Sequence, residues 1–201
     1  SFTKIYYDGT ANWVKLNPGM EKAAAFLETH RYAYLMGGSM GFSKMEGTTA
    51  NTKDKVAYFA LQNIQDSMTR SGKGWNAQSN IEVSKPLIAG GIMTSKLTGD
   101  QKDQFGNSLN SQWVPTSISA LLVGEDIEQD PLGNLANPSK ISNPDNLKFS
   151  EKLRTLFIGE DSSTHVNNFI WAYNVDTKKL SRIASMPSGA EATGLGVVDD
   201  L

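Results

Sequence analysis

Asn146-Leu147-Lys148-Phe149, Thr155-Leu156-Phe157-Ile158-Gly159, Asn168-Phe169-Ile170-Trp171-Ala172-Tyr173-Asn174 and Leu180-Ser181-Arg182-Ile183-Ala184-Ser185-Met186 are four short runs rich in aromatic and branched residues. Such residues favour extended backbone on a half-buried pleated surface. Val175-Asp176-Thr177-Lys178-Lys179 joins the last two as a tight polar connection of hairpin type. Four short antiparallel strands in about 45 residues match one blade of a propeller, whose repeats run about 40–50 residues. A lone four-stranded sheet leaves both faces wet, so a blade needs neighbours. The fold class that follows is mainly β: a partial β-propeller of four-stranded antiparallel blades, with one or two helices and long loops. It reads as a single incomplete domain over residues 1–201, with residues 143–187 as its best-defined blade.

Upstream the pattern is looser. Residues 1–18, punctuated by Tyr6, Tyr7, Gly9, Trp13 and Pro18, read as irregular structure. Met20 to Tyr34, with Glu21, Lys22, Ala23-Ala24-Ala25, Phe26 and Leu27, carry the strongest helix signal, ended by Gly37-Gly38. Gly41-Phe42-Ser43-Lys44-Met45-Glu46-Gly47 is a short extended stretch, and Lys55-Val56-Ala57-Tyr58-Phe59-Ala60-Leu61 reads as an inner strand. Residues 69–114 are rich in Ser, Gly, Asn and Lys and read as a long excursion with one short strand. Residues 115–123 suit either a helix capped by Thr116 or Ser117, or a strand. Residues 124–143 form a further loop, and another strand begins near the last residues.

The chain carries a net charge of −2 with 39% hydrophobic residues, ordinary globular material. No basic face stands out for a nucleic-acid partner. No apolar run approaches the roughly 20 residues of a membrane span. There is no cysteine, which excludes disulfides, thiolate metal sites and Cys nucleophiles within these residues. Nothing matches a phosphate-cradling Gly-rich loop with its Lys, or a Ser-His-Asp arrangement.

Asn143-Pro144-Asp145-Asn146-Leu147, followed by two strands and a loop at Glu160-Asp161, resembles a motif shared by gluconolactonase-like and PhoX-like propeller enzymes. The stretch from Leu156 through Gly159-Glu160-Asp161-Ser162-Ser163-Thr164-His165-Val166-Asn167 to Tyr173 is similar to the C-terminal signature of PhoX-type alkaline phosphatases. So is Arg182-Ile183-Ala184-Ser185-Met186-Pro187-Ser188-Gly189-Ala190-Glu191-Ala192-Thr193-Gly194, and Phe42 to Gly47 looks like the family's strand-end motif. The resemblance implies a propeller whose central channel holds calcium and iron through carboxylates and which hydrolyses small-molecule phosphate esters. It also implies export to the periplasm or beyond. The family's iron has a cysteine ligand and its members are longer, so this chain is expected to be a piece, nearly inactive alone. Open blade edges would then invite pairing with another copy, as a homodimer.

The resemblance assigns Glu46, Glu160 and Glu191 as metal ligands, with Asp66 and Asp161 adding oxygens and with His165 and Asn167 near the phosphate. No catalytic nucleophile is identified. Read without it, Glu46 is equally a surface residue beside a turn, and Glu160-Asp161 suits an ordinary polar hairpin loop. Glu191 is a lone charge among small residues, either exposed or buried with a partner. Asp66 reads more readily as a strand-end surface residue, and His165 as solvated. Lys44 and Arg154 are the nearest cations for a phosphoryl oxygen. Phe169, Trp171 and Tyr173 read as blade core. Two rival readings keep the fold: a calcium-dependent lactonase-like hydrolase, and a non-catalytic propeller used for binding.

Overall fold

The computed structural model describes residues 1–7, 10–38, 41–103 and 105–200, with the side chains of residues 6, 7, 10, 11 and 78 left aside. The protein is mainly β. Its contacts divide it into two compact units, Ser1–Ser43 with Ile64–Pro86, and Lys44–Asn63 with Leu87–Leu201.

The first unit opens with an antiparallel pair, β1 (Thr3–Tyr7) and β2 (Thr10–Val14). This is a hairpin where irregular structure was expected; alternation is hard to see among Thr, Lys, Tyr, Asn and Trp. The expected single helix is two short ones, α1 (Glu21–Leu27) and α2 (Thr29–Leu35). The break falls at Glu28, whose φ of −135° leaves the helical region. Neither helix buries a residue, and Phe26 and Leu27 stay exposed.

The second unit holds two four-stranded antiparallel sheets of the same build. The first has the order β3 (Met45–Asn51), β4 (Val56–Leu61), β5 (Gly91–Thr98), β6 (Val114–Val123). The second runs β7 (Pro144–Ser150), β8 (Thr155–Glu160), β9 (Asn167–Asn174), β10 (Lys179–Ser188). Each is a simple meander in the form of a propeller blade. The segment left open between helix and strand is strand β6, and the one short strand of residues 69–114 is the eight-residue β5. Among the described residues after Ser188 there is no strand where another was expected to begin.

The two blades pack through one core. Tyr58, Ala60 and Ile92 of the first meet Leu147, Leu156, Ile158, Phe169, Trp171 and Tyr173 of the second, with Ile141 between. Tyr58 stacks on Phe149 with ring centroids 5.7 Å apart. The first strands of the blades, β3 and β7, lie side by side. A methyl at Gly47 would sit 2.3 Å from the Asp145 carbonyl oxygen, so only a glycine admits this approach.

The first two strands of the blades also repeat each other residue by residue. Thr52 meets Glu151 and Gln62 meets Asp161, pairs 99 positions apart. At the same offset, Lys44 and Asn143 both have left-handed backbone (φ 47° and 43°), as do Lys55 and Arg154 (54° and 51°). The meander direction is common to both. Residues 44–46, 61–63, 143–145, 160–167 and 188–194 therefore all gather at one end of the pair.

Candidate functional site

That end is where the expected site residues fall, with one exception. Asp66 begins a short 3-10 turn in the first unit and is exposed. Glu46, Glu160, Asp161, His165, Asn167 and Glu191 belong to the second unit, and the fold sorts them into three environments.

Glu46 is the second residue of β3 and half-buried, its Oε1 3.0 Å from the Lys44 ammonium. Asp145 is the second residue of β7, the position of Glu46 one repeat later, and Asn146 donates to it through Nδ2. Asp161 follows β8 and is held by Gln62, whose Nε2 donates to Oδ2 at 2.9 Å and to the backbone oxygen at 3.2 Å. These groups feel one another. Burial pushes the Asp145 carboxyl above the usual carboxylate value, and the negative charges of Glu46 and Asp161 push it further. Lys44 is held above the ordinary lysine value, first by its hydrogen bond to Glu46 and then by the charge of that group, with Asp161 and Asp145 adding to it. The result is three carboxylates and one ammonium whose charges act on one another.

Glu160 is placed differently. It points into the core between the blades and is fully buried. Its Oε1 accepts from the Ser142 amide at 2.8 Å and the Trp171 indole at 2.7 Å. Its Oε2 accepts from the Phe169 amide at 3.0 Å and faces His165 Nδ1 at 3.0 Å. His165 is buried with it, its Nε2 3.3 Å from the Asn137 carbonyl. Each ring nitrogen lies within hydrogen-bonding distance of an oxygen. Glu160 and His165 thus form a closed, hydrogen-bonded pair, edge-on to Phe169. Asn167 serves the sheet, donating through Nδ2 to the Met186 carbonyl at 2.9 Å.

Glu191 is exposed, on a segment that crosses the same end. Its neighbour Ala192 donates to the Glu160 carbonyl at 2.8 Å, and the Gly194 amide donates to Asn146 Oδ1 at 2.8 Å. A methyl at Gly159 would meet the Ala192 oxygen at 2.0 Å.

Beneath these side chains lies Asn143. Its Nδ2 donates to the carbonyls of Gln62 (3.0 Å) and Ile88 (2.7 Å) and to Asn63 Oδ1 (3.0 Å), all from the first blade and its connections. Its Oδ1 accepts from the hydroxyls of Ser142 (3.2 Å), Ser162 (2.8 Å) and Thr164 (2.9 Å). One amide, two per cent exposed, therefore ties the blades at the end that holds these carboxylates.

For a hard divalent cation the donor chemistry of Glu46, Asp145 and Asp161 is right: carboxylate oxygens whose mutual repulsion a cation relieves. Glu160 does not fit that role, because its oxygens already face four nitrogen partners. Among the described residues no group of three or more His, Cys, Asp or Glu side chains is already arranged around a metal-sized point. Asp145 and Asn143 were not singled out among the site residues from the sequence. The signal that finds them is the repeat, which sets Asp145 opposite Glu46 and Asn143 opposite Lys44. Set against known proteins, the chain matches no family model, no curated protein and no solved structure.

Proposed function

We propose that the chain is part of a metal-dependent phosphomonoesterase, and that Glu46, Asp145 and Asp161 are its share of a calcium site. What supports this reading is that Glu46, Asp145 and Asp161 share one end of two adjacent blades and that the charges of Glu46 and Asp161 act on Asp145. Burial and like charge there raise the Asp145 carboxyl. A bound calcium ion would supply the positive charge that lets an acidic hollow receive a phosphate dianion. Gln62 fixes Asp161 by two hydrogen bonds. Lys44, released from Glu46, offers its ammonium to a phosphoryl oxygen. The iron of the resembling family needs a cysteine, and this chain has none, so that half of the chemistry is not assigned to these residues.

The test is a calcium titration of the chain followed by calorimetry and thermal melting. Saturable binding and a higher Tm are expected, with both effects lost in Asp145→Asn. A chain indifferent to millimolar calcium would remove the basis of the reading. Hydrolysis of p-nitrophenyl phosphate by the chain alone is expected to be negligible.

A second reading, a non-catalytic binding module, draws on the closed Glu160–His165 pair and on Lys44 already neutralising Glu46. It predicts that calcium changes the Tm of neither the parent nor Asp145→Asn.

A further inference from the structure

The repeat continues past the second blade. Glu151, at the foot of β7, accepts from the Thr52 amide (2.5 Å), the Thr52 hydroxyl (2.8 Å) and the Lys53 amide (3.2 Å), so it caps the turn of the preceding blade. Asp199 does the same for the next turn. Its carboxylate accepts from the Ser150 hydroxyl at 2.5 Å and the Lys152 amide at 3.3 Å, with the Glu151 amide also donating. Lys152 is the counterpart of Lys53. At the other end, Gly194 meets Asn146 as Gly47 meets Asn146 and its neighbours. Residues 193–199 thus lie along β7 as β7 lies along β3.

The side chains of the second blade repeat as well. The first blade buries Tyr58 and Ala60, with Ile92 paired to Ala60 and Thr94 to Tyr58, and Tyr58, Ala60 and Ile92 sit in the interblade core. The counterparts on the second blade are Phe157 and Gly159, with Ile170 paired to Gly159 and Ala172 to Phe157. They stand on the side of that sheet opposite Leu156, Ile158 and Trp171. Phe157, Ile170 and Ala172 are only half-buried, and Ile183 and Val198 are exposed. The side that the first blade uses to bind its neighbour is present again with that neighbour's inner strand already laid beside it.

We infer that the side of the second sheet carrying Phe157, Gly159, Ile170 and Ala172 is the docking surface for a further four-stranded antiparallel blade. Residues 193–199 stand in the place of its inner strand. The occupant is a sheet apolar on the side it presents, in the pattern of Leu147, Leu156, Ile158 and Trp171. The argument is continuity with the interface between the first two blades.

The experiment uses the full chain carrying a second copy of residues 154–188 after residue 201, the point at which the register supplies the outer three strands. The extended chain is expected to melt several degrees higher than the parent, to lose dye binding at exposed apolar surface, and to protect the added residues from protease. Phe157→Asp with Ile170→Asp should abolish that gain while moving the parent's Tm little. The inference is overturned if the added residues are cleaved away with no change in Tm. It is equally overturned if the double substitution unfolds the parent as readily as Tyr58→Asp does, because the surface is then already the parent's own core.

Discussion

At Glu160 two oxygens face four nitrogen partners, each at 2.7–3.0 Å, and replacing the carboxylate leaves those partners facing a weaker acceptor. Leaving buried donors with a lost or weakened acceptor costs about 1–3 kcal/mol. Glu160→Gln should therefore lower the stability by about 1–3 kcal/mol, read by urea unfolding, whether or not metal is present. A purely ligating role would leave the metal-free protein unmoved. Asp145 carries the opposite sign. Its folded carboxyl sits above the usual value, so the folded state binds that proton more tightly than the unfolded chain does. The stability it supports is present at low pH and lost as pH rises through the folded value. Asp145→Asn should flatten that loss in a Tm-against-pH series without calcium. At this scale the sequence showed which residue types mattered better than which way they faced. Glu160 and His165 look like loop residues because Glu-Asp-Ser-Ser is turn chemistry. Their burial depends on Ser142, Trp171 and Phe169, which reach them only once the blades have formed.

Among the elements, β7 to β10 were legible because dense aromatic and branched residues separate cleanly from polar turns such as Val175-Asp176-Thr177-Lys178. β5 was expected only as one short strand with no fixed place in residues 69–114, because Ile92, Thr94 and Lys96 alternate with Met93, Ser95 and Leu97, and neither set stands out as apolar. β6 stayed ambiguous until pairing with β5 decided it. Close approach of β3 and β7 makes Gly47→Ala a sharp test. Its new methyl meets backbone atoms that have nowhere to go, and overpacking of this kind costs about 1–3 kcal/mol, visible as a drop in the denaturant midpoint. Pairing between copies through a sheet edge, which open blades invite, would use β6. Val114–Val123 carries no charged side chain, whereas β10 has Lys179 and Arg182. Ser119→Lys on that edge should give a monomer by light scattering if the parent is a dimer.

For the two-bladed unit as a whole, Arg154 ties the turns at the far end. It pairs with Asp54 of the first blade and, at 3.0 Å, with Asp176 of the second. Hydrogen bonding to Arg154 holds both carboxyls below their usual value. Groups depressed in this way stabilise the fold fully above the unfolded value near 3.8, and that help fades as pH falls through the folded values. The Tm should drop below about pH 4, and Arg154→Met should make that acid limb shallower. The Asn143 amide, which joins the blades at the other end, has a chemical consequence of its own. An asparagine side chain ages by cyclising onto the backbone nitrogen of the next residue, and here that residue is Pro144, whose nitrogen bears no hydrogen. Deamidation through attack by that nitrogen is closed at an amide whose conversion to an acid would place a new charge in the seam, so the junction is protected against this slow ageing by its own covalent chemistry.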